Sequence, residues 1–143
     1  MILIVDDEER YMEGYLEELQ QTGHAYSFQT NVDAALKFFK ENLDQIRLLI
    51  LDIMMPPGNS FGHEETQMGL ITGTFFYEEV RRIAPDLPII ILTNVADEKP
   101  LASIIEQENC WFYQKPRVLP FELVEIIEAL LPKSSSEEKE GSQ

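Results

Sequence analysis

The chain has 143 residues, of which 44% are hydrophobic, and its formal net charge at pH 7 is −15. This length suits one domain with its own hydrophobic core, held without disulfides or structural metals. The negative charge argues against electrostatic binding of nucleic acid, and the lack of a long apolar run argues against a membrane-spanning helix. A single cysteine, Cys110, excludes a disulfide framework, and the start lacks a secretory signal, so the composition predicts a cytoplasmic protein.

Short apolar strands alternate with amphipathic helices along the chain. Wholly apolar runs are typical of strands buried on both faces. The predicted strands are Ile2–Val5, Ala25–Gln29, Leu48–Ile53, Leu87–Thr93 and Cys110–Tyr113. Apolar residues at helical spacing predict the helices between them. These helices are Glu8–Gln21, a segment capped by Asn31, Thr74–Ile83, Pro100–Glu108 and Phe121–Leu131.

Five alternations of strand and helix predict a three-layer, doubly wound α/β domain with a five-stranded parallel sheet.

Two segments do not fit the alternation of strands and helices. The loop over about 56–73 is long and rich in Gly, Pro and Asn, which is typical of a functional or mobile loop. Residues 133–143 are polar and low in complexity, so they are predicted to form a disordered acidic, Ser-rich tail after a domain spanning 1–132.

Polar side chains follow the ends of four predicted strands: Asp6 and Asp7, Asp52, Thr93 and Asn94, and Lys115. In parallel α/β sheets the ligand site lies at the carboxyl ends of the strands. Three clustered carboxylates need a counter-charge, and Mg²⁺ prefers oxygen ligands. With Mg²⁺, Lys115 and Thr93 holding phosphoryl oxygens, Asp52 could act as a nucleophile and form an aspartyl phosphate.

These residues and their order make the chain similar to the receiver (CheY-like) domains of two-component response regulators over residues 1–132. The resemblance implies a flavodoxin-like (βα)5 fold with Asp52 as the phosphoacceptor. It implies that Mg²⁺ is held by Asp6, Asp7, Asp52 and the backbone carbonyl of Met54. It also implies that Thr93 and Lys115 contact the phosphoryl group, that Thr93 and Phe112 move on activation, and that the Lys115–Pro116 bond is cis.

The chain departs from the family pattern in three places. The segment between Asp52 and Thr93 is longer than usual, Thr72-Gly73 stands where the family has Asp-Gly, and Asn94 replaces a small residue after the threonine. Glu8 and Glu9 are predicted to serve only the first turn of a helix, where acids complement the helix dipole.

The resemblance predicts a signalling domain that is no enzyme beyond catalysing its own phosphorylation and dephosphorylation. A sensor histidine kinase or a histidine phosphotransfer protein would be the donor, and a downstream protein effector would read the altered surface. Homodimerisation on phosphorylation stays open. Two alternatives are a Mg²⁺-dependent phosphohydrolase with an aspartyl-phosphate intermediate and a receiver-like interaction module that is never phosphorylated.

Overall fold

The computed structural model describes residues 1–56, 58, 72–94, 104 and 107–131. The strands β1 to β5 span Ile2–Val5, Tyr26–Gln29, Leu48–Leu51, Ile89–Thr93 and Cys110–Gln114. The described α-helices, α1 to α4, span Glu9–Gln21, Val32–Glu41, Thr72–Ile83 and Pro120–Leu130. Single turns of 3-10 helix cover Leu43–Gln45 and Lys115–Arg117. Within these described ranges, no helix is both long and apolar enough to cross a membrane.

The five strands form one parallel sheet in the order β2-β1-β3-β4-β5. Val5 at the end of β1 lies opposite Gln29 of β2 and Leu51 of β3, so these three strands end level with one another. The chain runs outward from β1 to β2 and then returns to the other side of β1 for β3. Sheets of this order bind ligands at that reversal, beyond the carboxyl ends of the strands.

Side chains alternate between the two faces of the sheet, and each face has its own core. On one face, Leu3 and Leu49 pack with residues of α2 and α3, such as Phe39 and Phe76. On the other face, strand residues such as Ile50 pack with α1 and α4. The central strands are therefore buried on both sides, which explains their continuous apolar sequences.

The structure confirms the predicted three-layer α/β fold and moves several boundaries. Asn31 caps α2, because its side chain accepts a hydrogen bond from the Ala34 backbone N–H at 2.8 Å. α3 begins at Thr72, two residues before the predicted start. The predicted tail over 133–143, most of the predicted loop over 56–73 and most of the predicted helix over 100–108 lie outside the described residues.

Candidate functional site

Asp6 and Asp52 lie side by side at the carboxyl ends of β1 and β3. The Asp6 backbone N–H donates to the Gln29 carbonyl at 3.1 Å, and the Asp52 N–H donates to the Val5 carbonyl at 3.0 Å. These bonds continue the ladder one residue beyond each strand and fix both aspartates at the reversal of the sheet. Both side chains are buried.

The Asp52 carboxylate is held by three groups from three parts of the chain. Oδ1 accepts hydrogen bonds from the Thr93 hydroxyl at 2.6 Å and from the Met54 backbone N–H at 3.1 Å. Oδ2 lies 3.3 Å from the Lys115 ammonium. Thr93 is fully buried at the end of β4, the strand next to β3, and its hydroxyl points at Asp52.

Gly73, in the first turn of α3, packs directly against the backbone of Asp52. Its N–H donates to the Ile53 carbonyl at 2.8 Å. A Cβ atom at this position would lie 2.5 Å from both the Asp52 carbonyl oxygen and the Ile53 Cα, so only glycine fits. The glycine of the Thr72-Gly73 pair therefore sets how closely α3 approaches the site.

Lys115 is 0% exposed and lies among three carboxylates. Its Nζ is 2.6 Å from Glu8 Oε1, 2.9 Å from Asp6 Oδ2 and 3.3 Å from Asp52 Oδ2. The ammonium also lies 5.1 Å from the centre of the Tyr11 ring. The Tyr15 hydroxyl donates to the Val118 carbonyl at 2.5 Å, which ties α1 to the backbone just after the lysine.

The ionisation of this cluster is governed by burial and by its unequal charges. Burial and the neighbouring Asp52 raise the pKa of Asp6 to about 6. Burial also raises the pKa of Asp52, against the hydrogen bond from Thr93 and the charge of Lys115. For Lys115, burial acts to lower the pKa, but the hydrogen bond to Glu8 and the charges of Asp52 and Asp6 outweigh it and raise the pKa. One ammonium thus faces three carboxylates, and negative charge is in excess.

This donor set fits a hard divalent cation. Oxygen atoms of Asp6, Glu8 and Asp52 all lie within 4.8 Å of one another, and carboxylate oxygens are the ligands that Mg²⁺ prefers. A cation at this place would offset both the burial of Asp6 and the charge of Asp52, which together raise the pKa of Asp6.

The structure brings together Asp6, Asp52, Thr93 and Lys115, four of the residues that the sequence singled out. Asp7 is exposed and is not in the compact group of carboxylates, so its role as a direct metal ligand stays a prediction. The Met54 backbone N–H donates a hydrogen bond to Asp52. The role of the Met54 carbonyl as a metal ligand also stays a prediction. Phe112 is half-buried and packs against the core that contains α2 and α3, and its role in switching stays a prediction.

Glu8 is the site residue that sequence reasoning missed. It lies just before α1 and makes no side-chain cap to that helix, and its carboxylate instead reaches Lys115. The expectation that Glu8 only serves the first helical turn is therefore wrong. The available signal was its place directly after Asp6 and Asp7, at a strand end where charged groups from other strands gather. The Lys115–Pro116 bond is trans, since the described chain contains no cis peptide bond, so the cis prediction is also wrong.

Comparison with known proteins finds similarity at the level of structure. No family model and no curated protein sequence matches the chain. The receiver domain of NtrX from Brucella abortus is 24% identical with a TM-score of 0.72, over 94% of this chain and 100% of that one. A CheY-like response regulator receiver domain protein from Methanospirillum hungatei JF-1 is 24% identical with a TM-score of 0.71, over 95% and 96% of the two chains.

A third solved structure, the response regulator receiver domain protein from Clostridium thermocellum, is 24% identical with a TM-score of 0.70, over 90% of each chain. Sequence identity of 24% supports a shared fold only, and the function has to be inferred from the residues of the site. The chain has the fold of the response-regulator receiver domains, with its buried acidic cluster at the edge where such sheets bind ligands.

Proposed function

We propose that this chain is a receiver domain in which Asp52 accepts a phosphoryl group. The observation that carries the proposal is the set of contacts around Asp52. Its Oδ1 is oriented by the Thr93 hydroxyl, and its Oδ2 lies beside the fully buried Lys115 ammonium. A carboxylate nucleophile needs to be ionised and oriented, and the phosphoryl group it attacks needs positive charge beside it.

In the proposed reaction, a carboxylate oxygen of Asp52 attacks the phosphorus of a phosphohistidine on a sensor kinase or phosphotransfer protein. The bond from phosphorus to the imidazole nitrogen breaks, and the electron pair leaves with the imidazole, which carries a proton on its other ring nitrogen and so departs neutral. The new aspartyl phosphate remains on Asp52. Lys115 neutralises one phosphoryl oxygen, and the Thr93 hydroxyl donates to another. Mg²⁺, held by Asp6 and Asp52, would neutralise further charge on the phosphoryl oxygens.

The proposed output is a change in a protein-interaction surface. When Thr93 turns from Asp52 toward the phosphoryl group, space opens at the end of β4, and the neighbouring Phe112 of β5 fills it. Ile91 of β4 and Phe112 of β5 are paired in the sheet, so a shift at the end of β4 would change the packing around Phe112. We propose a cytoplasmic location and a protein effector as the reader of this change.

Two alternatives are less well supported. A phosphohydrolase would need a general acid beside Asp52, and the residue two positions after it, Met54, has no titratable side chain. A module that is never phosphorylated has no need for a fully buried lysine paired with Asp52, since such an arrangement is costly to desolvate.

The test is incubation of the protein with Mg²⁺ and acetyl phosphate, followed by measurement of intact mass. We expect one phosphoryl adduct per chain that is removed by hydroxylamine and is absent in Asp52→Asn and without Mg²⁺. No adduct in a protein shown to bind Mg²⁺ would overturn the proposal. Continuous release of many equivalents of phosphate would favour the hydrolase.

A further inference from the structure

Glu8 makes the shortest contact to Lys115. The Glu8 Oε1 atom lies 2.6 Å from the ammonium and also accepts a hydrogen bond from the Asn94 side-chain amide at 3.3 Å. The backbone N–H of Glu8 donates to Asp6 Oδ1 at 2.8 Å. The side chain therefore crosses the carboxyl edge of the sheet from the end of β1 to the ends of β4 and β5.

Three carboxylates surround the ammonium of Lys115. The ammonium donates hydrogen bonds to Glu8 and Asp52 and forms an ion pair with Asp6 at 2.9 Å, and a lysine has only three N–H donors. A phosphoryl oxygen that binds Lys115 therefore has to compete with these carboxylates.

Glu8 is the carboxylate most able to leave. Its side chain is 46% exposed, whereas Asp6 and Asp52 are 2% and 3% exposed. Asp6 is further held by the Glu8 N–H, and Asp52 by Thr93 and the Met54 N–H. A half-exposed glutamate can be solvated when it moves away, and its long side chain can rotate without moving the backbone.

We propose that Glu8 is an internal competitor for Lys115, which holds the ammonium in the unphosphorylated protein and must release it before a phosphoryl group binds. This inference rests on the proposed function and adds a positioning residue to it. Glu8 sets how readily the site is loaded, because the incoming phosphoryl oxygen has to displace a carboxylate. Asn94 takes part by holding the same carboxylate oxygen in place.

The test compares Glu8→Ala with Glu9→Ala and wild type at saturating Mg²⁺. Glu8 makes no side-chain cap to α1, so its removal leaves the helix start intact. Glu9 is the matched control, since it is the adjacent exposed acid in the first helical turn. Two quantities are measured: the rate of phosphorylation by acetyl phosphate, and the affinity for beryllofluoride, a phosphoryl mimic, followed by fluorescence of Trp111, the single tryptophan.

We expect Glu8→Ala to raise both the rate and the beryllofluoride affinity by about fivefold, the factor that an ion pair with one exposed partner can supply. Glu9→Ala should match wild type. Equal or lower values in Glu8→Ala, with wild type phosphorylated normally, would overturn the role of Glu8 and leave the proposed function standing. Failure of wild type to accept any phosphoryl group would overturn both.

Discussion

The two ends of the sheet each carry a cation with several partners, and the partners differ in kind. At the amino ends of β4 and β5, the Arg81 guanidinium donates to the backbone carbonyls of Leu87 at 2.6 Å and Asn109 at 3.1 Å. At the carboxyl ends, the Lys115 ammonium faces the carboxylates of Asp6 and Asp52, along with that of Glu8.

The two cations therefore differ in the charge of their surroundings. Neutral carbonyls accept the hydrogen bonds of Arg81 and bring no carboxylate charge to this end, and these contacts join α3 to the chain segments that enter β4 and β5. The carboxylates around Lys115 outnumber it, and burial together with the charge of Asp52 raises the pKa of Asp6, so this cluster can still gain from a bound cation. The cation at the amino end has neutral partners, while the cluster at the carboxyl end has an excess of negative charge that a bound cation would reduce.

The largest expected effect comes from removing each cation. Lys115→Met leaves buried carboxylates without a counter-charge, and we expect the free energy of unfolding at pH 7 to fall by on the order of 3 kcal/mol. Arg81→Met removes the side-chain donor to the Leu87 carbonyl and one of the two donors to the Asn109 carbonyl, at a cost of roughly 2 kcal/mol. The measurement is urea unfolding with EDTA and with excess Mg²⁺.

Mg²⁺ should change the stability losses of these two variants to different extents. Mg²⁺ should stabilise Lys115→Met more than wild type, because it supplies the missing positive charge, and should stabilise Arg81→Met only as much as wild type. An equal gain from Mg²⁺ in both variants would contradict the distinction between the two ends.

The next effect tests how tightly the carboxyl end is packed. In Gly73→Ala the new methyl group meets the Asp52 and Ile53 backbone, so we expect a loss of about 2 kcal/mol, typical of overpacking. Gly14→Ala is the matched control in α1, where the nearest atom, Pro120 Cγ, is 3.4 Å away. There we expect a gain of about 0.5 kcal/mol from helix propensity. Thermal unfolding measures both, and a loss in Gly14→Ala equal to that in Gly73→Ala would remove the special role of the close approach.

The smallest effect concerns pH. The pKa of Asp6 is raised from its ordinary 3.8 to about 6 in the folded protein, so its ionised form costs stability above pH 6 and costs nothing below about pH 4. Without metal, Asp6→Asn should therefore be more stable than wild type by on the order of 1 kcal/mol at pH 7. This gain should shrink as the pH falls toward 4.

Asp86→Asn provides the control for this pH dependence, since Asp86 is an exposed aspartate just before β4 at the amino end of the sheet. Its substitution should leave the free energy of unfolding within about 0.5 kcal/mol of wild type. A gain in Asp6→Asn that grows on acidification would contradict the predicted sign.

The central part of the fold follows from local sequence. The wholly apolar strands Ile2–Val5 and Leu48–Leu51 had to be buried on both faces, and this requirement alone predicts a parallel sheet covered by helices. Asp6, Asp52 and Lys115 could be placed together because the carboxyl ends of parallel strands meet at one edge.

Other features depend on contacts between distant parts of the chain. Glu8 looks like a helix-start residue until the position of Lys115, 107 residues away, is known. Gly73 looks like a loop glycine until α3 is seen against Asp52. The carbonyl partners of Arg81 carry no side-chain signal at all, so sequence reasoning had no means to find them.

The measurement that tests the central claim most directly is chemical mapping of the phosphorylated residue. The protein is treated with acetyl phosphate and Mg²⁺, reduced with borohydride, which converts an aspartyl phosphate to homoserine, and digested for peptide sequencing by mass spectrometry. The account predicts homoserine at position 52 and at no other aspartate. Modification at Asp6 or Asp7 instead, or none in a protein that binds Mg²⁺, would contradict it.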